Sequence, residues 1–316
     1  MNKTAIALAT ALVAFGAQAS ELAAEKDKKF EVNVDVGAYM LSKKDAAGTA
    51  QSEFLGKGIN QIEIKATHNI GDGVSVFGEI EVDYDPIVDN GAVVTDDVRV
   101  GIASKDWGRF TMGQFDSYFE DNVMEVLSVG HGENGFLTEP ASSNDGRAMQ
   151  YMNKIGDFTF ALDARFSNNV AKDDPSNTLA IAASYQIGDL TLSAGTSNVP
   201  KYKSDTSLPN TAKYASGLAA TYKAGNFKFL GLIATEESVT KVTTDYSGVG
   251  FIYTAGQFDF GVALQQRKEG SSSFSEWAAG VGYTPYKNMQ VYLDLNGLGK
   301  PNGAGDVVEA GIKYTF

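Results

Sequence analysis

The feature that most constrains this chain is a period of two that recurs in segments of about ten residues. Apolar residues alternate with polar or small ones over stretches such as Phe30–Val36, Phe158–Phe166 and Val291–Leu295. Because successive side chains on a β-strand point to opposite faces, this pattern predicts strands with one apolar and one polar face. Sixteen such segments are predicted, at residues 30–40, 58–70, 74–84, 96–104, 108–115, 147–155, 157–167, 177–187, 189–198, 213–223, 226–236, 244–254, 257–267, 275–284, 288–297 and 306–316.

The connections between these segments alternate between short and long. The short ones are Gly71-Asp72-Gly73, Lys105-Asp106-Trp107, Gly156, Gly188, Ala224-Gly225, Ala255-Gly256 and Pro285-Tyr286-Lys287. The long polar ones cover residues 41–57, 85–95, 116–146, 168–176, 199–212, 237–243, 268–274 and 298–305. All short turns therefore fall at one end of the strands, and all long loops fall at the other.

Aromatic residues flank the short turns in a repeated hairpin pattern of Tyr, two residues, Gly, a polar residue and a large apolar residue. Its copies begin at Tyr185, Tyr222 and Tyr253. Such a repeat is also typical of solenoids and propellers, but a propeller blade needs four strands over about 40–45 residues, and each unit here carries two. Aromatics gathered at one end of the strands favour a membrane-interface girdle, since a soluble sandwich would spread them through a core.

The opposite face of the strands carries Gly, Ala, Ser, Thr and charged residues, which suits water better than a packed core. In lipid, only helices and closed barrels satisfy every backbone group. No stretch after residue 19 has 18 consecutive apolar residues, so a spanning helix is not expected. An even number of strands with short turns and long loops is typical of outer-membrane barrels. We therefore predict an all-β fold, a transmembrane antiparallel β-barrel of 16 strands.

The first 19 residues are predicted to be a cleaved signal peptide, which leaves residues 20–316 as the barrel. Lys3 precedes the apolar run Ala5–Phe15, and Ala17-Gln18-Ala19 is a small-residue cleavage site. Without Lys3 the chain has 25 bases and 39 acids, and this net charge of −14 argues against nucleic acid as a partner. The absence of Cys excludes disulfides and thiolate chemistry.

The longest connection, residues 116–146, holds seven acids and no Lys or Arg. These acids are Asp116, Glu120, Asp121, Glu125, Glu133, Glu139 and Asp145. The segment is predicted to be neither helix nor strand, and a long irregular loop inside a compact domain is usually functional, disordered or a sign of misassigned elements. We interpret it as the constriction of a pore.

Several segments in sequence order resemble the general porins of Gram-negative outer membranes. They are Ile62–Lys65, Asp97–Ile102, Trp107–Ser117, Gln150-Tyr151 with Gly156–Phe158, and Lys313–Phe316. The resemblance implies a trimeric 16-stranded barrel, exported to the outer membrane of a Gram-negative bacterium and embedded in its lipid. It also implies that the third loop folds into the lumen, and that the assembly machinery recognises the last strand, where Ile312, Tyr314 and Phe316 alternate outward up to the carboxyl terminus.

The resemblance assigns Lys65 and Arg99 to a basic pore wall, and alternation places both on the inner face. Arg165 also points inward by alternation, whereas Arg147 falls on the outward parity unless a bulge reverses it. Gln61 and Gln114 stand where the family often has Arg. The predicted acidic lining comprises Glu63, Glu79, Glu81 and Asp83 on the wall and Asp116, Glu120, Asp121, Glu125 and Glu133 on the loop, with the early loop acids nearest the constriction.

Because acids outnumber bases along this lining, we predict a passive, cation-preferring channel for small hydrophilic solutes and ions. A substrate-selective channel is one alternative, although the inner face offers only isolated aromatics such as Tyr39, Phe77 and Tyr292. A structural or adhesive barrel with a plugged lumen is another, and a secreted soluble β-protein is a third. No enzymatic activity, cofactor or metal is expected, since the only histidines, His68 and His131, lack the setting of a catalytic imidazole.

Overall fold

The structure, a computed structural model, describes residues 27–55, 60–85, 92–132, 137–140, 147–166, 178–198, 212–238 and 241–316. Its strands are β1 (Lys28–Lys44), β2 (Ala50–Leu55), β3 (Gln61–Gly71), β4 (Val74–Asp85), β5 (Ala92–Ser104), β6 (Gly108–Gln114), β7 (Arg147–Ile155), β8 (Phe158–Phe166), β9 (Thr178–Ile187), β10 (Leu190–Asn198), β11 (Ala212–Ala224), β12 (Phe227–Ser238), β13 (Thr243–Ala255), β14 (Phe258–Glu269), β15 (Ser272–Tyr286), β16 (Met289–Gly297) and β17 (Val307–Thr315). A π-helical turn at Glu120–Met124 and a 3₁₀ turn at Pro301–Gly303 complete the regular structure of these residues.

The strands form one antiparallel sheet that closes on itself through the pairing of β1 with β17. β2 and β3 lie end to end along β1, where β2 pairs with Tyr39–Lys44 and β3 pairs with Lys28–Asp35. The two segments therefore occupy one position in the ring, which has 16 positions. This arrangement confirms the predicted 16-stranded barrel.

The strand β2 lies inside the segment 41–57, which we predicted to be a loop. Its residues do not show a clear period of two, because Ala50, Gln51, Ser52 and Glu53 are all small or polar. Pairing with the long strand β1 satisfies backbone groups that would otherwise lack partners. A tertiary requirement therefore extends the sheet where the local pattern indicates a loop.

Four of the short connections are tight two-residue hairpin turns with glycine at the first central position, at Gly156, Gly188, Gly225 and Gly256. Gly188, for example, has φ of +59° and links Ile187 to Leu190, which are paired residues. Glycine is the residue that a two-residue type II′ turn favours at this place. These turns keep the register of the hairpins and therefore fix which side chains point inward.

The outer face of the barrel is apolar. Leu218, Ile233 and Val249, for example, are 60%, 65% and 62% exposed. A soluble protein rarely exposes apolar residues on every strand, so this surface is suited to lipid. None of the helical segments among the described residues is long and apolar enough to cross a membrane.

Much of the inner face is not open to water, contrary to our expectation. Phe119, Val123, Met124, Leu127 and Val129 of the segment 116–146 form an apolar core with inward residues of the wall. The wall residues of this core are Ala180, Ala182, Ala215, Ala219, Leu230, Leu232, Ala234, Tyr246, Ala263 and Ala278. The small side chains that suggested a wet wall instead leave room for the loop.

Candidate functional site

The segment 116–146, hereafter the constriction loop, follows the inner wall from strand to strand. Its successive side chains lie against wall glycines: Phe119 against Gly195 of β10, Val123 against Gly217 of β11, Leu127 against Gly248 of β13, Val129 against Gly261 of β14 and His131 against Gly280 of β15. A Cβ atom at Gly217 would lie 2.8 Å from Cγ1 of Val123. Since the loop touches strands around half of a closed ring, it lies within the barrel.

Buried wall carboxylates hold the loop by its backbone. Asp294 of β16 accepts hydrogen bonds from the backbone N–H groups of His131 (2.6 Å) and Gly132 (2.7 Å). Glu276 of β15 accepts from the N–H and hydroxyl of Thr138, at 3.0 and 2.9 Å. Such charge-assisted bonds are among the stronger ones in proteins. The loop is therefore anchored at its midpoint and again six residues further on.

The first part of the loop is attached in the same way. Asp163 of β8 accepts a hydrogen bond of 2.8 Å from Gln150 of β7 and lies near the backbone N–H of Tyr118. The hydroxyl of Tyr118 donates to Ser184 of β9 at 2.9 Å. The loop thus enters the lumen from a fixed point on β8 and β9.

The π-helical turn divides the loop acids between two environments. Glu120, Val123 and Met124 are buried against the wall, whereas Asp116 and Asp121 are exposed and Glu125 is partly exposed. Of the loop acids predicted to line the pore, Asp116, Asp121 and Glu125 therefore remain accessible. Glu120 is covered, and Glu133 and Asp145 lie outside the described residues.

Glu125 lies among several other acidic side chains. Burial raises the pKa of its carboxyl to about 8, and the negative charges of Glu139, Glu120, Asp116 and Asp121 act in the same direction. Burial also raises the pKa of Glu139. The exposed side of the loop therefore carries a charge that varies with pH around neutrality.

The open part of the lumen borders β3–β6. Here Lys65 and Arg99 are 39% and 28% exposed at their side chains, whereas inward residues on β9–β16 are largely buried. In register, Lys65, Glu79 and Arg99 lie side by side across three strands, and we call these three residues the charged row. The row therefore faces the part of the lumen that the loop leaves free.

The bases of the charged row are paired within the wall. Lys65 forms ion pairs with Glu63 and Glu79, the latter at 3.5 Å. Arg99 Nη2 lies 2.9 Å from Glu79 and 2.7 Å from Asp97. Both bases lie on the inner face, but wall acids neutralise much of their charge before it can act across the lumen.

Acids outnumber bases on this stretch of wall. The inner face of β3–β5 carries Glu63, Glu79, Glu81, Asp83 and Asp97 together with Lys65 and Arg99. Carboxylate oxygens of Glu63, Glu79 and Glu81 all lie within 4.8 Å of one another. This clustering concentrates negative potential in the free part of the lumen.

The two remaining predicted bases differ from this pair. Arg165 on β8 points inward but is only 5% exposed, with its Cζ 5.8 Å from the ring centroid of Phe115. It therefore belongs to the packing beneath the loop. Arg147 begins β7, opposite Gln114 and Phe166, and its side chain lies outside the described part of the structure.

Sequence reasoning missed the wall residues that fix the loop and one further base, Arg109. Alternation places Asp294 on the inner face, yet it cannot show whether an inward acid meets water or a loop. Arg109 lies in the segment Trp107–Ser117, and the porin resemblance of that segment assigns it no role. It lies inward on β6, with its Cζ 4.0 Å from the ring centroid of Phe77.

The histidines and the last strand have defined surroundings. His131 packs in the loop with Nδ1 3.1 Å from Asp294, and His68 lies exposed in β3. Ile312 and Tyr314 are on the outer face of β17, and the backbone N–H of Phe316 donates to the carbonyl of Val34 in β1. The carboxyl terminus thus lies at the seam that closes the barrel.

Comparison with known proteins agrees with this architecture. A sequence model of the family described as Gram-negative porin matches residues 4–298. The Major outer membrane protein of Pasteurella multocida (strain Pm70) is 25% identical over 224 residues, an alignment that covers 57% of this chain. This chain spans 63% of the length of that relative.

Solved structures share the fold at low sequence identity. The anion-selective porin from Comamonas acidovorans has a TM-score of 0.72 at 15% identity, covering 92% of this chain and 100% of that one. OmpF of Salmonella typhi in complex with daunomycin has a TM-score of 0.73 at 16% identity, covering 92% and 98%. The trimer form of OmpT from Vibrio cholerae gives 0.70 at 13% identity, covering 92% and 100%. Together with the family match over most of its length, the closed barrel and its internal loop lead to one assignment: this chain belongs to the Gram-negative porin family.

Proposed function

We propose that this protein is a passive, cation-preferring diffusion channel for small hydrophilic solutes and ions in the outer membrane of a Gram-negative bacterium. Family membership supports the channel and its location. The preference for cations is carried by one observation, the surplus of carboxylates around the charged row in the free part of the lumen. Rings of acids favour cations because they attract counter-ions into a narrow, weakly screened space.

The fold alone does not fix the sign of selectivity. A structural relative is described as anion-selective, although its barrel superposes on this one over most of both chains. The difference must therefore come from the charges that line each lumen. In this chain, wall acids pair with Lys65 and Arg99 and leave further carboxylates, such as Glu81, at the same level.

The test is the reversal potential of the purified protein in a planar bilayer under a KCl concentration gradient. We expect discrete conductance steps and a reversal potential that favours K⁺. Neutralising Glu81 and Asp121 together should move that potential towards the value for equal permeability. A preference for Cl⁻ in the unmodified protein would contradict the proposed selectivity.

The plugged-barrel alternative has one observation in its favour, the apolar core between the constriction loop and the wall. A protein that inserts into bilayers but never conducts would support it. A channel selective for one substrate through aromatic side chains is less well supported. Tyr39 and Tyr292 are both 3% exposed, and Phe77 lies under Arg109.

The proposal also covers processing and assembly. We propose that residues 1–19 are removed on export, that residues 20–316 form the barrel, that the closing strand carries the assembly signal, and that three copies associate in the outer membrane. The channel acts without a cofactor or an enzymatic step. The mass of the protein recovered from outer membranes would test the cleavage after Ala19.

A further inference from the structure

We propose that Arg109 forms an anion-binding site in this lumen, which binds the phosphate or carboxylate group of a small solute. The inference rests on the proposed channel function and concerns a residue on the wall beside the charged row. It predicts that an otherwise acidic pore holds a local site for negative groups. Three observations support it: the contacts of Arg109, their contrast with those of the other bases, and the way neighbouring residues hold it.

Arg109 is held by two contacts that leave its outer nitrogens available. Its Nε donates a hydrogen bond of 3.0 Å to Oγ1 of Thr111, and its Cζ lies 4.0 Å from the ring centroid of Phe77. Thr111 is buried beneath it, while Arg109 itself is partly exposed. Within the described part of the chain, no other polar contact of this guanidinium is found.

Several of the other inward bases have acid partners, whereas Lys154, Lys223 and Lys228 have none in the described part of the chain and, unlike Arg109, carry no guanidinium. Lys65 and Arg99 each contact two carboxylates, as does Arg267, and Lys313 lies 3.6 Å from Asp35. Arg165 is almost fully buried. Among the described residues, Arg109 has no carboxylate within ion-pair distance, so its charge is available to a solute.

Gly101 allows Phe77 to hold the side chain of Arg109 in place. Phe77 of β4 faces Gly101 of β5, and a Cβ atom at Gly101 would lie 2.8 Å from Cε1 of Phe77. The missing side chain lets the ring lie flat over β5, where it supports the guanidinium of Arg109. A planar guanidinium fixed in this way offers two parallel donors, which match carboxylate and phosphate oxygens. Because Arg109 is already ordered, binding costs little side-chain entropy.

The site lies beside the acids but not among them. Arg109 is paired in register with Ala103, whereas Arg99 is paired with Gly113, so the backbone of Arg109 lies nearer the short turns. A solute passing from the long-loop end meets the carboxylates first and Arg109 afterwards. Conduction favours sites that bind well enough to admit a solute yet weakly enough to release it. Arg109 would let anions through a pore whose main field repels them.

The experiment uses inorganic phosphate as the probe on single channels in KCl, added to either side of the bilayer. In the unmodified protein we expect a saturable reduction of the current. Arg109→Gln removes a pair of charge-assisted hydrogen bonds, so the apparent affinity for phosphate should fall about tenfold or more. The reversal potential in a KCl gradient should also shift further towards K⁺.

Two further variants separate position from charge. Phe77→Leu keeps the charge of Arg109 but removes its support, so it should weaken the phosphate effect and leave the reversal potential nearly unchanged. Lys154→Gln removes an exposed inward base of β7 for which the described residues show no aromatic ring contact, and it should keep the phosphate effect. Arg109→Lys, which keeps the charge without the fork geometry, serves if Arg109→Gln fails to fold.

The proposal is overturned if Arg109→Gln, or Arg109→Lys in its place, binds phosphate as the unmodified channel does. It is also overturned if Lys154→Gln loses as much affinity, since general charge in the lumen would then explain the effect. These results are distinct from failure of the proposed function. An unmodified protein that never conducts contradicts the channel itself, whereas one that conducts but ignores phosphate contradicts only the role of Arg109.

Discussion

Asp294 and Asp121 have the same side chain, but their surroundings give them different roles. Asp294 is fully buried and accepts hydrogen bonds from two backbone N–H groups of the constriction loop, while Asp121 is exposed towards the lumen. Glu79 has a third role, since it bridges Lys65 and Arg99 within the wall. Of these three, only Asp121 is exposed, whereas the other two bind groups of the protein.

Replacing Asp294 by Ala should loosen the constriction loop without preventing barrel formation. The change leaves the N–H groups of His131 and Gly132 without their acceptor, at a cost of about 1–3 kcal/mol for each group. We expect faster amide hydrogen exchange at residues 129–132 and a noisier open-channel current. Asp259→Ala provides the control, because Asp259 is an inward acid of β14 that bonds to Thr254. Equal exchange in both variants would contradict the anchoring role.

Glu125 should make cation preference depend on pH. With a pKa of about 8, its carboxyl is mostly protonated at about pH 6 and mostly charged at about pH 9. The preference for K⁺ in a KCl gradient should therefore rise with pH across this range. Glu125→Gln should reduce this rise, mainly above pH 7, since Asp121, whose pKa burial raises to about 6, contributes to the change at lower pH. If that variant keeps the full pH dependence, another group in the lumen is responsible.

At the level of secondary-structure elements, the constriction loop packs closely against the wall strands because glycines at the contact points have no side chains. Glycines on β10, β11, β13, β14 and β15 each face a loop residue. A larger side chain at one of these places would push the loop towards the free part of the lumen. The width of the pore is thus set partly by strands that lie across the lumen from the charged row.

Gly217→Val should narrow the channel. The added methyl groups would overlap Val123 and Met124, and overpacking of this kind costs about 1–3 kcal/mol when it cannot be relieved. The loop can relieve it by moving into the lumen, so we expect a lower single-channel conductance. Gly231→Val is the matched control, because no atom lies within 4 Å of a Cβ built at Gly231. A conductance unchanged in Gly217→Val would indicate that the wall, and not the loop, gives way.

How far the sequence predicts these elements depends on the range of the interactions involved. The bounds of strands such as β7 and β8, and the face to which each side chain points, follow from a local period of two and from glycine turns. Neither the strand β2 nor the π-helical turn could be predicted, because pairing with β1 and packing against β10–β12 create them. The same limit applies to charges: alternation places Arg165 and Arg99 on one face, but only the path of the loop decides that Arg165 is buried.

For the whole molecule, the outer surface indicates where copies of the barrel would meet. Aromatic residues at the short-turn end include Tyr185, Tyr222, Phe227, Tyr253, Phe258, Tyr283 and Tyr314. Among the described residues, β3, β4 and β5 carry no Phe, Tyr or Trp on the short-turn half of their outer face. Since such aromatics mark the boundary between lipid and water, their absence is expected where protein replaces lipid. We therefore expect the trimer contact on this side.

Replacing Val100 of β5 by Trp should prevent the trimer from forming, whereas Leu218→Trp on β11 should not. Val100 and Leu218 are both outward and both 60% exposed in the isolated barrel, so the two changes are alike for a monomer in lipid. At a packed contact between copies, the larger side chain is overpacked by about 1–3 kcal/mol, and a closed trimer repeats that cost three times. The measurement is the mass of each variant in detergent by light scattering, together with its migration in gels before and after heating. A trimeric Val100→Trp beside a monomeric Leu218→Trp would place the contact on the opposite side of the barrel.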